Sequence, residues 1–141
     1  MKTQFVYEWM SRDLITVYPE TGVIDAKVIL DDYHIRRLPV VDAQQKLVGI
    51  VTLSDIRGVL PCQAHSLREW QRNYRLPTLK VKDIMTVDPV TVYTTDTVAK
   101  AVSLMLAHTI SGLPVLAPAD RKLVGIITES DVFDLYLEKL S

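Results

Sequence analysis

The sequence is poor in the features that most quickly assign a protein. It has one cysteine, Cys62, among 141 residues. An internal disulfide framework is thereby excluded, and no Cys/His cluster has zinc-ligand spacing. No stretch approaches the ~20 consecutive apolar residues that a membrane-crossing helix needs. The start, Met1-Lys2-Thr3-Gln4-Phe5, holds no apolar segment of the secretory kind, so a reducing, cytoplasmic setting is expected. Charge of one sign is also lacking. Sixteen Lys and Arg stand against 17 Asp and Glu, a net charge of −1, which argues against a surface that coats nucleic acid. The glycines, Gly22, Gly49, Gly58, Gly112 and Gly125, form neither a dinucleotide fingerprint nor a phosphate loop, and no His-x-x-x-His or Cys-x-x-Cys occurs. Without a nucleophile, an acid–base pair or a metal set at a known spacing, an enzyme is not expected. What is present is aliphatic bulk: 48% of residues are hydrophobic and 23% charged. That excludes intrinsic disorder and suits one compact body.

The chain repeats itself. At an offset of 75, Met10 falls on Met85, Asp13 on Asp88, and Thr16-Val17-Tyr18 on Thr91-Val92-Tyr93. Val23, Ala26 and Ile35 fall on Val98, Ala101 and Ile110, and Leu38-Pro39-Val40 on Leu113-Pro114-Val115. One inserted residue moves the offset to 76. Lys46-Leu47-Val48-Gly49-Ile50 then matches Lys122-Leu123-Val124-Gly125-Ile126, and Thr52, Ser54 and Asp55 match Thr128, Ser130 and Asp131. Ordered matches of this length mark a tandem duplication. Units of about 55 residues are marginal alone. The copies, 1–60 and 81–141 with a linker at 61–80, are therefore expected to pack as one pseudo-twofold body.

Each copy reads as strand–helix–strand–strand–helix. Ile15-Thr16-Val17-Tyr18 is a short β-branched run that Pro19 stops. Thr21 or Gly22 opens a helix whose inner face is Val23, Ala26, Leu30 and Tyr33. In the second copy Asp96 is the expected N-cap, and Val98, Ala101, Val102, Met105 and Leu106 form the stripe. Strands follow at Leu38 to Val41 and Leu47 to Thr52, joined by the polar turn Asp42-Ala43-Gln44-Gln45-Lys46. The run Leu123-Val124-Gly125-Ile126-Ile127 suggests burial on both faces. Closing helices are expected at about Ser54 to Leu60 and Ser130 to Leu137. In the linker, Ser66 and Glu69 resemble a capping box, and Leu67, Trp70 and Tyr74 share a helical face that Pro77 ends. From Cys62 to Lys82, Arg68, Arg72, Arg75, Lys80 and Lys82 stand against Glu69 alone. A solvated linker helix fits this charge better than a nucleic-acid contact patch.

The strongest chemical signal is the duplicated Gly49-Ile50-Val51-Thr52-Leu53-Ser54-Asp55 and Gly125-Ile126-Ile127-Thr128-Glu129-Ser130-Asp131. Each lies where a strand hands over to a helix. Thr at the N-cap with Asp at N3 is nearly a capping box, a purely structural device. The same place suits an anion such as phosphate, and a carboxylate there can accept ribose hydroxyls. The residues alone favour neither reading.

Together with His34-Ile35-Arg36-Arg37-Leu38-Pro39-Val40-Val41-Asp42, its partner Ile110-Ser111-Gly112-Leu113-Pro114-Val115, and the starts Trp9-Met10 and Ile84-Met85, these elements closely resemble a pair of CBS domains. The name comes from cystathionine β-synthase. The first-copy run and the long linker look most like the bacterial acetoin-utilisation type. The resemblance covers nearly the whole chain outside the linker. It implies an α/β (α+β) fold of two β-α-β-β-α repeats and a regulatory module that senses AMP, ADP, ATP or S-adenosylmethionine in two clefts between the repeats. It implies that Asp55 holds ribose, with Thr52 and Ser54 nearby and Val90, Ile110, Ser111 and Gly112 lining the cleft. In the other cleft it implies Asp131 on ribose with Thr128 and Ser130, adenine against Met10, Ile15 and Ile35, and Arg36 on phosphate. Met10, Ile15 and Val90 also fit plain core. Adjacent guanidiniums at Arg36 and Arg37 are explained better by a phosphate than by packing. His34 fits as an aid to them or as a helix end. The second copy has Ser111-Gly112 in their place, so the two clefts are not equivalent, and the Arg36 cleft should disfavour the cationic S-adenosylmethionine. A homodimer through exposed helical stripes, at Val98 to Leu106 and Leu135-Tyr136, and an unidentified effector protein complete the expectation. The competing reading is an interaction module without ligand.

Overall fold

The computed structural model describes residues 2–60 and 79–140. The expected linker helix, with Ser66, Glu69, Leu67, Trp70 and Tyr74, and the basic Arg68, Arg72 and Arg75, lies outside the described residues. The chain forms two compact units, Ile15–Asp88 and Met1–Leu14 together with Pro89–Ser141. The units cut across the sequence repeats: the leading segment of each copy belongs to the unit built mainly from the other.

In the first unit, Ile15–Asp88, the helix α2 (Val23–Tyr33) precedes an antiparallel pair, β1 (Arg37–Val41) and β2 (Leu47–Thr52). The helix α3 (Leu53–Val59) leaves β2 directly, and β3 (Thr86–Val87) pairs with the other edge of β2. The expected strand at Ile15-Thr16-Val17-Tyr18 is reduced to one parallel bridge, Val17 to Val40. Pro39 has no N–H, so the Val17 N–H donates to the Pro39 carbonyl and the Val41 N–H donates to the Val17 carbonyl. Leu30, Leu38, Val40, Val51 and Ile56 close the core between sheet and helices.

The second unit repeats the plan. The helix α1 (Val6–Trp9) comes from the N-terminal segment. β4 (Val92–Tyr93) runs parallel to β5 (Gly112–Leu116), which pairs antiparallel with β6 (Leu123–Thr128). α4 (Val98–His108) and α5 (Glu129–Leu140) complete it around a core of Val6, Val98, Ala101, Leu113, Val115 and Ile127. The duplication reaches the backbone. His34 and Thr109 both end helices in the left-handed region, at φ 55° and 53°, and Gln45 and Arg121 take it up in the hairpin turns. The residues after His34 and Thr109 donate back to the carbonyls of Leu30 and Met105, which satisfies orphan acceptors at each helix end.

Four expectations need correction. Tyr33 and Leu106 point outward rather than into the core, because the inner stripe is complete with Val23, Ala26 and Leu30 in one helix and Val98, Ala101 and Met105 in the other. The run Leu123 to Ile127 is not buried on both faces. Only Gly125 and Ile127 are fully buried, in the alternation of a sheet with one covered face. The closing helices begin one residue earlier than read, at Leu53 and Glu129, and the second runs to Leu140. Asp96 does not cap α4. Its carboxylate accepts the Tyr93 N–H at 2.7 Å and pairs with Lys100 at 3.2 Å, while Thr97 Oγ1 accepts the Lys100 N–H at 3.1 Å. Thr97→Ala is therefore expected to lower stability by about 1 kcal/mol in urea unfolding.

Candidate functional site

Both Thr-x-x-Asp elements sit at the strand-to-helix junction that the sequence indicated. In the first unit the Thr52 N–H donates to Asp55 Oδ2 at 2.9 Å, and the Asp55 N–H donates to Thr52 Oγ1 at 3.1 Å. This is a reciprocal capping box. In the second unit the Thr128 N–H donates to Asp131 Oδ2 at 2.9 Å, and the Thr128 hydroxyl lies 3.3 Å from the same oxygen. The structural role is thus real in both copies. It occupies one carboxylate oxygen, Oδ2, and leaves the chemistry of the other open.

What approaches that second oxygen is the feature the sequence reading missed. Ser11 pairs with Ile126 through two backbone hydrogen bonds, at 2.9 and 3.0 Å, and its hydroxyl lies 3.5 Å from Asp131 Oδ1. In the first unit Thr86 takes the corresponding place opposite Ile50. The glycines of the motif make this approach possible. A Cβ at Gly125 would lie 2.7 Å from Met10 Sδ, and one at Gly49 equally close to Met85 Sδ. The signal was available: the hydroxyl residues of Met10-Ser11 and Met85-Thr86 also repeat at the offset of 75.

The remaining candidates divide between the units. Arg36, Arg37, Ile15 and Ile35 lie with Thr52, Ser54 and Asp55 in the first. The Arg36 carbonyl accepts the Leu53 N–H at 2.7 Å, so its backbone is joined to the first residue of α3. Arg37 opens β1 opposite Thr52. Met10, Val90, Ile110, Ser111 and Gly112 lie with Thr128, Ser130 and Asp131 in the second. There the Ser111 carbonyl accepts the Glu129 N–H at 3.0 Å, and Gly112 stands opposite Thr128. Ile15, Ile35, Met10, Val90 and Ile110 are half-buried and pack against the core of their own unit. Arg36, Ser54 and Ser130 are exposed. Each unit therefore gathers a hydroxyl, a carboxylate and the loop before the first strand of its antiparallel pair. Among the described residues no cluster of His, Cys, Asp and Glu could hold a metal ion, and no helix is long and apolar enough to cross a membrane.

Burial raises the pKa of Asp131 above its ordinary 3.8, and the nearby Asp134 adds to the rise; the hydrogen bonds from Thr128 and Ser11 oppose it. A raised folded-state pKa means that the fold binds this proton more tightly than the unfolded chain does. The resulting stability is present below the ordinary carboxylate pKa and is lost as pH rises through the elevated one. Asp131→Asn keeps an acceptor for the Thr128 N–H. It is expected to remove that part of the decline when unfolding is measured as a function of pH.

A pair of repeats, each with a three-stranded sheet and this strand-to-helix junction, defines a class. Residues 6–61 and 81–138 match the CBS domain, and the chain belongs to the CBS domain family as a tandem pair. It is 36% identical over 135 residues to a CBS domain-containing protein of Dictyostelium discoideum, a match covering 96% of this chain and 92% of that one. It is 35% identical to an inosine-5'-monophosphate dehydrogenase of Methanocaldococcus jannaschii, but spans only 22% of that enzyme's length. Among solved structures it resembles CBSX2 of Arabidopsis thaliana in complex with AMP, with a TM-score of 0.81, 30% identity, and coverage of 98% and 99% of the two chains. It resembles the CBS domain pair of protein MJ0100 in complex with 5'-methylthioadenosine and S-adenosyl-L-methionine at a TM-score of 0.79, 28% identity and the same coverage. A putative acetoin utilization protein, AcuB, from Vibrio cholerae matches at 0.79 and 28% identity over 99% and 94% of the chains.

Proposed function

We propose that this chain is a cytoplasmic regulatory module that binds adenosine nucleotides and passes their occupancy to an effector protein, without catalysing a reaction. The observation that carries this reading is the carboxylate geometry. At each junction Oδ2 is engaged by the backbone of the capping threonine, which orients the group and leaves Oδ1 directed to other partners. An oriented carboxylate beside a threonine hydroxyl can accept both hydroxyls of a ribose. The complexes of CBSX2 with AMP and of the MJ0100 domain pair with 5'-methylthioadenosine and S-adenosyl-L-methionine support an adenosine ligand. AMP, ADP and ATP are the candidates for this chain. Binding acts on the effector only through a difference in affinity between two states of the module.

Calorimetric titration with AMP, ADP, ATP and S-adenosylmethionine tests the reading. Wild type is expected to bind at least one of them at cellular concentrations. Asp55→Asn with Asp131→Asn is expected to weaken binding about tenfold or more, since a hydrogen bond to a charged acceptor contributes roughly 1.5–3 kcal/mol. No binding to wild type, or unchanged binding in the double variant, sinks it.

A second reading, a homodimerising interaction module, is favoured by one observation. Phe133, Tyr136 and Leu140 of α5 are each more than 60% exposed at helical spacing. That reading gains if no adenosine compound shifts the melting temperature.

A further inference from the structure

The two carboxylates differ in how many of their acceptor positions are already taken. An ionised carboxylate offers about four, two on each oxygen. Among the described residues, the Thr52 N–H is the one donor to the Asp55 carboxylate. Asp131 accepts three: the Thr128 N–H at 2.9 Å and the Thr128 hydroxyl at 3.3 Å on Oδ2, and the Ser11 hydroxyl at 3.5 Å on Oδ1. A ribose presents two hydroxyls side by side. Asp55 has room for both. Asp131 has room for both only if a donor gives way. The Ser11 hydroxyl, the longest of the three contacts and on an exposed residue, is the one that yields most easily.

Ser11 ends a strap, Gln4 to Ser11, that is held unequally along its length. At its start the Val98 N–H donates to the Gln4 carbonyl and the Val6 N–H to the Asp96 carbonyl, both at 2.9 Å, and Val6 is fully buried. At its end the Ser11–Ile126 pair is the backbone tie to β6. The start is therefore the anchor, and Met10-Ser11 is the end free to lift. We propose that Asp131 latches this strap: Ser11 and a ligand hydroxyl compete for Oδ1, so that filling the Asp131 junction loosens Met10-Ser11 from β6. Filling the Asp55 junction leaves the counterpart, Met85-Thr86, in place. Coupling of this kind is reciprocal, so the seated strap also weakens binding at Asp131. The ligand's part rests on the proposed function; the latch itself is a property of the chain alone.

The test is residue-resolved amide exchange on the full chain, read at Ser11 and Ile126, whose N–H groups bond across the seam. Without nucleotide, Ser11→Ala and Asp131→Ala are each expected to speed exchange at both amides about threefold, as for loss of one hydrogen bond. The double variant should go no further, because both changes remove the same link. The Val6 and Val98 amides, at the anchored end, should stay unchanged and report an intact fold. Additive effects, or a Ser11→Ala that moves neither amide, overturn the latch. AMP is then added to saturation to the Asp55→Ala variant, where the second junction alone retains its carboxylate. Exchange at Ser11 and Ile126 is expected to rise about threefold. With Ser11→Ala added, AMP should bind about threefold more tightly and no longer change the exchange. AMP that binds Asp55→Ala without moving the seam overturns the competition. Wild type that binds no adenosine compound overturns the proposed function and the ligand's part with it, whereas a non-additive cycle would still uphold the latch.

Discussion

Gly125→Ala is expected to destabilise the protein by about 1–3 kcal/mol, the usual cost of forcing an extra carbon into a filled site. The new Cβ would stand 2.7 Å from Met10 Sδ and 2.9 Å from the Ser11 carbonyl oxygen. A methionine tip can swing away. The Ser11 carbonyl cannot, because it accepts the Ile126 N–H at 3.0 Å while the Ser11 N–H donates to the Ile126 carbonyl. Relief therefore means parting the N-terminal segment from β6 and drawing the Ser11 hydroxyl away from Asp131. Gly49→Ala meets the same obstacles, Met85 Sδ and the Thr86 carbonyl, and should cost a similar amount. Neither glycine has a positive φ, so the penalty is crowding and not backbone strain. Gly58→Ala is the control. Nothing lies within 4 Å of its Cβ position, and it sits in α3, so it is expected to stabilise by roughly 0.5–1 kcal/mol. Urea unfolding of the three variants reads the signs directly, and a neutral Gly125→Ala would contradict the close approach.

Leu113→Ala is expected to cost more, about 2–5 kcal/mol, as for other fully enclosed leucines. Leu113 is wholly buried in β5 opposite Ile127, within the core of the second unit. Its loss removes apolar burial and leaves a cavity that a sheet clamped by two helices cannot readily close. Leu38, opposite Val51 in the first unit, is its counterpart and should behave alike. Leu106→Ala removes the same side chain at a position 77% exposed and is expected to change stability by no more than about 0.5 kcal/mol. A cost below about 1 kcal/mol at Leu113 in denaturant titration would place that leucine outside a packed core.

Much of this was legible in the residues, because duplication turns weak local signals into paired ones. A lone Gly-x-x-Thr-x-x-Asp is ambiguous. Two of them, each ending an apolar run and opening a helical one, locate the strand-to-helix junctions to within a residue. The misreadings were local. Asp96 and Thr97 are both good cap residues, and the choice between them depends on the Tyr93 N–H, which captures the aspartate. Ile15 to Tyr18 has the composition of a strand, but it holds the sheet only at Val17. Tyr33 and Leu106 have the right period for burial and fall just beyond the width of the covered stripe.

The sequence by itself determined the repeat, the order of strands and helices, the inner faces led by Leu38 and Leu113, and the two capped carboxylates. These follow from periodicity, turn chemistry and near-neighbour hydrogen bonds. Only the tertiary structure decided which segments share a unit: that Met10-Ser11 lies on Gly125 and Ile126, and Met85-Thr86 on Gly49 and Ile50. Such pairings join residues far apart in the chain. They are set by which surfaces fit, as a missing Cβ opens room for a backbone to approach, and no local pattern records which of two similar segments will fill it.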